Sequence, residues 1–255
     1  MTCALDHWHD RRVPRLRTVT DALPDEIAAH DGLAYSLWLP KQSPAPRGGV
    51  VILHGADSCK EMHFDFARVV LAAGFAAIVF DQRGHGASDR PMDGRALDDI
   101  ASMAALLRRA IGGTEARIAV RGSSMGGYFA ITAATIINAS AVVAICPASA
   151  GGLRRGLASS VFQFEADVPA LDKLLSEHDL GSTVASLQIP LLLLHAEGDE
   201  RVPVEHSREL ARHFSAPGSR LIAVPGGHHR SVQHDGELQA ISLRFIEQSL
   251  SPAAQ

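Results

Sequence analysis

A chain of 255 residues, 46% hydrophobic and 20% charged, is long enough to bury one large core and has the composition of an ordinary globular protein. Its formal net charge of −4, from 24 basic and 28 acidic residues, argues against a broadly basic nucleic-acid surface. No apolar run is long enough to span a membrane, and three widely spaced cysteines (Cys3, Cys59, Cys146) fit a reduced, cytoplasmic setting better than a disulfide framework.

Residues 1–24 are polar, Arg-rich and weakly patterned. They read as an N-terminal arm, without the apolar segment of a secretory signal, in which 11–20 could hold an edge strand. His7-Trp8-His9-Asp10 invites a metal reading, but no partner ligands share its spacing. Residues 33–39 alternate apolar with small or polar types and predict a half-exposed strand; 40–46 form a Pro/Ser loop. The run 49–53 is continuously apolar and β-branched, as an interior parallel strand requires. It ends at His54-Gly55-Ala56-Asp57. A helix is expected over 62–73, closed by Gly74, then a buried strand over 75–80 ending in Asp81-Gln82-Arg83-Gly84-His85-Gly86-Ala87-Ser88. Residues 96–111 place Ile100, Met103, Leu107 and Ile111 at helical spacing.

The strand 117–121 then runs into Gly122-Ser123-Ser124-Met125-Gly126-Gly127, with a small-residue helix expected over 128–137. Strand, sharp turn, helix is the setting that the G-x-S-x-G pattern demands, and the frame makes Ser124, not Ser123, the exposed residue. Glycines two before and two after let strand and helix approach, and the helix N-terminus favours developing negative charge. A strand follows over 140–146. Residues 148–187 break the rhythm, with a helical stretch near 169–177, and read as a small cap insertion. A strand over 189–195, a helix over 203–214, a strand over 219–224 and a closing helix over 238–250 complete the chain. Alternating buried strands and helices predict one α/β domain built on a doubly wound, mostly parallel sheet, with its chemistry at the carboxyl ends of the strands.

A serine hydroxyl needs a base to become a nucleophile, the base needs a carboxylate, and the reaction needs two donors for the oxyanion. Asp199 follows one predicted strand, flanked by Glu197 and Glu200 as alternative acids; His228 and His229 follow the last strand as alternative bases. Four motifs occur in order: His54-Gly55, Asp81-x-Arg83-Gly84-x-Gly86-x-Ser88, the turn at Ser124, and Asp199-x-x-Val202-Pro203 with a final Gly-x-x-His. With these the chain, over about 31–250, resembles the α/β-hydrolase superfamily, in particular short-cap serine hydrolases of the monoacylglycerol lipase and serine aminopeptidase-like type. The resemblance implies Ser124 as nucleophile, Asp199 as acid, His229 as base, and the backbone N–H groups of Ala56 and Met125 as the oxyanion hole. It also implies a structural role for the loop from Asp81 to Ser88.

The expected reaction is hydrolysis of a carboxylic ester through an acyl-Ser124 intermediate, with no cofactor and no metal. The substrate is a small acyl compound, short or medium in chain because 148–187 holds few large apolar residues; its only aromatic residues, Phe162 and Phe164, are the candidates for substrate binding. Thioester, amide or carbon–carbon hydrolysis and perhydrolysis would use the same residues. A non-catalytic binding protein of the same fold and a metallohydrolase are the readings of other classes. Arg154-Arg155 could steer an anionic substrate. Oligomeric state is not legible in the sequence.

Overall fold

The computed structural model describes residues 21–41 and 46–251. The expected strand over 11–20, the His7–Asp10 cluster, Cys3 and most of the N-terminal arm lie outside the described residues.

The first elements are a hairpin, β1 (Glu26–His30) and β2 (Leu33–Trp38), joined by Asp31-Gly32 with φ of 53° and 78°. These positive values at both central residues are what Asp-Gly supplies to a two-residue turn. β1 was not anticipated by the hydrophobic pattern because its outer face is exposed; the Asp-Gly dipeptide was its signal. β2 is also not the half-exposed strand its alternation predicts: all six residues are buried. Leu33, Tyr35 and Leu37 join the core on one side of the sheet, and Trp38 joins the core on the other, with its ring 4.7 Å from that of Phe64.

The remaining strands are β3 (Gly49–Leu53), β4 (Ala76–Phe80), β5 (Ile118–Ser123), β6 (Ala141–Ile145), β7 (Leu191–Ala196) and β8 (Arg220–Val224). The sheet runs β1-β2-β4-β3-β5-β6-β7-β8; β1, β2 and β4 pair antiparallel, and every pair from β4 to β8 is parallel. Side-chain alternation splits each interior strand between two cores. Val51, Leu53, Val120 and Ala144 face one core with α2 (Ala96–Ile111) and α3 (Met125–Ala133). Val50, Ile52, Val143 and Ile145 face the other with α1 (Phe64–Ala72) and α9 (Gly236–Leu250). This is a doubly wound α/β fold.

A turn of 3-10 helix, Lys60–His63, precedes α1, and Gly74 closes α1 with φ of 82°. α3 starts three residues earlier than its apolar pattern predicts, because the helix begins directly behind Ser124; all nine of its residues are buried. Between β6 and β7 stand α4 (Ala150–Ala158), α5 (Val168–Glu177) and α6 (Leu180–Ser186). Only α5 was legible: Asp167 caps it by accepting from Ala170 N–H at 3.1 Å, with Pro169 in the first turn. α4 and α6 are seeded by Ser149 and Asp179 in the same manner. α7 (Val204–Ala211) ends earlier than expected, and a short α8 (Ser231–His234) precedes α9.

Candidate active site at the carboxyl edge of the sheet

Ser124 sits between β5 and α3 with φ of 54°, a conformation that a residue with a Cβ adopts only where its surroundings hold it. They do so through three backbone bonds. Ser124 N–H donates to Ile145 O at 2.8 Å, and Ser124 O accepts from Tyr128 N–H and Ala148 N–H, both at 3.0 Å. The glycines are steric requirements. A Cβ at Gly122 would collide with the Gly126 carbonyl, and one at Gly126 with the His54 carbonyl. Gly55 would meet the Ser124 Cβ at 3.1 Å.

The His54-Gly55 turn is locked against this elbow. His54 is fully buried; its Nε2 accepts from Gln82 N–H at 2.9 Å, its Nδ1 faces Gly55 O at 2.7 Å, and its carbonyl accepts from the Gln82 amide at 2.7 Å. Burial, with His85 nearby, lowers its pKa to about 4, so it is a neutral brace and not a second base. Asp81 is equally buried and takes Lys60 Nζ at 2.7 Å, while Arg83 forks onto Asp99 at 2.9 Å. Both side chains are consumed by structure. The turn presents Ala56 to the cavity beside Ser124. Met125, first in its helix, has an N–H without an intrahelical acceptor.

Asp199 follows β7 and its carboxylate is fully buried. Oδ1 accepts the N–H groups of Arg201 (2.8 Å) and Val202 (2.9 Å); Oδ2 accepts Nδ1 of His229 at 2.7 Å. His195, at the end of β7, brings Nε2 to 3.3 Å from the same oxygen. Burial alone would raise this carboxyl's pKa; the hydrogen bonds from His195, His229 and the two backbone groups outweigh it and hold the pKa well below the usual carboxylate range. A carboxyl depressed on folding stabilises the native state above its unfolded pKa and loses that contribution as pH falls toward the folded one. The melting-temperature gap between wild type and Asp199→Asn is therefore expected to be constant from neutral pH down to about 5 and to shrink below about 4, the ordinary aspartate pKa. A gap that closes between pH 7 and 6 would contradict this.

The loop carrying the two histidines holds them differently. His229 is buried and its N–H donates to Glu200 Oε2 at 3.1 Å. His228 is exposed, and its Nδ1 accepts Arg230 N–H at 3.3 Å. Of the alternative acids, Glu200 thus meets the backbone of His229 and Glu197 pairs with Arg208 at 2.6 Å; among the described residues neither bonds to an imidazole. Ser124 and His229 open onto one cavity of about 760 Å³, without a hydrogen bond between them, a common looseness where no substrate is bound. Phe162 and Val161 line the cavity. Phe164 does not: it stacks on His85 with centroids 4.2 Å apart and, with Phe162, closes a small apolar void over Phe129 and Leu171.

Three neighbours of the site were not singled out in the sequence: His195 and Cys146 touch Asp199 from adjacent strand ends, and His206 lines the cavity. Among the described residues, Cys146, Asp199 and His229 are the one group of ligand atoms gathered within 4.8 Å. Burial pushes the Cys146 thiol up, so it stays protonated, and His229 is already bonded to Asp199; the set fits proton handling better than metal ligation.

The family model described as serine aminopeptidase, S33, matches residues 44–174. The uncharacterized protein YfhR of Escherichia coli strain K12 is 28% identical over 242 residues, 89% of this chain and 81% of that protein. Among solved structures, Est1E of Butyrivibrio proteoclasticus, bound to ferulic acid, superposes with a TM-score of 0.69 at 19% identity, covering 88% of this chain and 98% of that one. A soluble variant of monoglyceride lipase from Saccharomyces cerevisiae, in complex with a substrate analog, gives 0.70 at 16%, covering 92% and 97%. At these identities the structural likeness establishes the fold. Among the described residues no helix is long and apolar enough to cross a membrane.

Proposed function

The chain belongs to the serine aminopeptidase, S33, family of α/β hydrolases, and from that premise we propose that it is a serine esterase acting on small carboxylic esters through Ser124, His229 and Asp199. The observation that carries this reading is the 2.7 Å bond between His229 Nδ1 and Asp199, with His229 opening onto the cavity of the strained Ser124 turn. Asp199 fixes the tautomer with Nδ1–H, which leaves Nε2 free to accept a proton.

In the proposed mechanism Ser124 Oγ attacks the acyl carbon while its proton passes to His229 Nε2. The carbonyl oxygen gains the negative charge and is held by the N–H groups of Ala56 and Met125. Collapse breaks the bond to the alcohol oxygen, which leaves with the proton from His229. Water then attacks the acyl-Ser124 carbon, giving its proton to His229, and the acid departs as Ser124 regains its hydrogen. No cofactor enters.

Residues 148–187, with α4 to α6, act as the cap of this site, and Phe162 is its acyl-contacting aromatic residue. Asp57 joins the cap to the oxyanion turn: its Oδ1 accepts Gln163 N–H at 2.7 Å. An aminopeptidase must bind an ammonium group. Asp57, the one acidic residue lining the cavity among the described residues, is engaged by the Gln163 and Phe164 N–H groups, and the arginines around it repel a cation. This favours the ester reading over the peptidase one.

A panel of acyl esters and thioesters of graded length tests the proposal. Hydrolysis should peak at short or medium acyl chains, and Phe162→Ala should move the optimum toward longer chains, with kcat/KM for the best wild-type ester falling about tenfold for the lost apolar contact. An unchanged profile would remove Phe162 from the acyl site. Absence of turnover on every ester and thioester would favour the non-catalytic reading.

A further inference from the structure

The cavity is charged against the sign of the molecule. The chain carries a formal net charge of −4, yet the cavity shared by Ser124 and His229 is lined, among the described residues, by three arginines, Arg155, Arg201 and Arg230, and by a single acidic residue, Asp57. That carboxylate is already bound to two backbone N–H groups of the 163–164 segment. The arginines come from three separate places. Arg155 is on α4, Arg201 follows the acid after β7, and Arg230 follows the base after β8.

They are also among the arginines that the fold leaves without a close side-chain partner among the described residues. Arg154, beside Arg155 but off the cavity, forks onto Asp172 at 2.7 and 3.0 Å. Arg208 holds Glu197 at 2.6 Å and Glu205 at 2.8 Å. By contrast, among the described residues the Arg155 and Arg230 side chains meet no acceptor, and Arg201 reaches Glu200 only at 3.9 Å. Unpaired guanidiniums around a concave surface with low-dielectric walls concentrate anions and offer a planar fork that fits a carboxylate.

We infer that the substrate is an ester that itself carries a carboxylate, bound through Arg155, Arg201 and Arg230. This rests on the proposed serine-esterase reading of the same site and adds the charge of the substrate to it. The carboxylate takes no part in bond making; it orients the ester so that its carbonyl carbon lies over Ser124.

The test compares anionic and neutral esters of matched size, after subtraction of the uncatalysed rate. On the acyl side the pair is para-nitrophenyl hemiglutarate and para-nitrophenyl pentanoate. On the alcohol side it is para-acetoxybenzoate and para-acetoxybenzamide. On one side, the anionic ester should show a kcat/KM about tenfold higher at low ionic strength, and the ratio should fall as sodium chloride rises past about 0.5 M, where the Debye length is only a few ångströms. Arg155→Gln and Arg230→Gln should each lower that ratio about threefold or more, whereas Arg109→Gln, on the exposed face of α2, should leave it alone. Neutral esters turned over with a ratio at or below one on both sides would overturn the inference and leave the esterase standing. So would a ratio above one that none of the cavity variants moves. Failure to turn over any of the four esters would overturn the inference together with the reading beneath it.

Discussion

Ser124→Ala is expected to cut ester turnover by about 10⁴-fold or more while leaving the melting transition within a few degrees of wild type. The substitution removes one hydroxyl that makes no hydrogen bond within the fold among the described residues. The elbow is held instead by backbone bonds from Ser124 N–H to Ile145 and to its carbonyl from Tyr128 and Ala148. Alanine tolerates the strained φ no better and no worse than serine, so the loss should be chemical. Ser123→Ala is the matched control: Ser123 ends β5, is buried, and sits outside the G-x-S-x-G frame. Retained hydrolysis in Ser124→Ala with loss in Ser123→Ala would move the nucleophile by one residue.

The adjacent histidines give the second large effect. His229→Ala should lower kcat by several orders of magnitude, on the order of 10⁴-fold, and His228→Ala by far less, about threefold or under. The reason is directional. His229 turns Nδ1 onto the buried Asp199 carboxylate at 2.7 Å, and His228 turns outward onto the N–H of Arg230. Removing His229 also strands an ionised carboxylate that His195 still contacts, so some loss of stability should accompany the loss of rate. Steady-state rates at pH 8 with urea titrations of both variants separate the two. The reverse ranking would transfer the base to His228.

The interior of the sheet was legible because its strands are largely continuous apolar runs, such as Gly49–Leu53 and 191–194, that only a doubly covered sheet can bury. The elbow was legible because Gly122 and Gly126 are required by contacts close enough to bar any side chain. The edges were not. β1 is half solvent-facing and carries little apolar signal, and β2 alternates in sequence yet is covered on both faces once α1 brings Phe64 onto Trp38. Around the site, the sequence could name residues that share a motif, such as Asp199 and the Gly-x-x-His loop. Residues that meet only through strand order escaped it. Cys146 directly follows β6 and His195 lies near the end of β7, and the parallel pairing of these two strands sets both beside Asp199. His206, Arg201 and Arg230 reach the cavity from loops or helices with no local pattern to mark them. Phe164 shared the aromatic signal of Phe162, but two residues further along the loop its ring is turned onto His85.

The claim on which the rest depends is that Ser124 forms the covalent bond to the acyl group. A fluorophosphonate that mimics the tetrahedral intermediate tests it directly. The purified chain should gain the mass of one phosphonyl group, in step with loss of ester hydrolysis, and fragmentation of the labelled peptide should put that mass on Ser124. His229→Ala should label far more slowly, and Ser124→Ala not at all. An adduct on Ser123 or Cys59, or an enzyme that hydrolyses esters without taking up the label, would contradict the account.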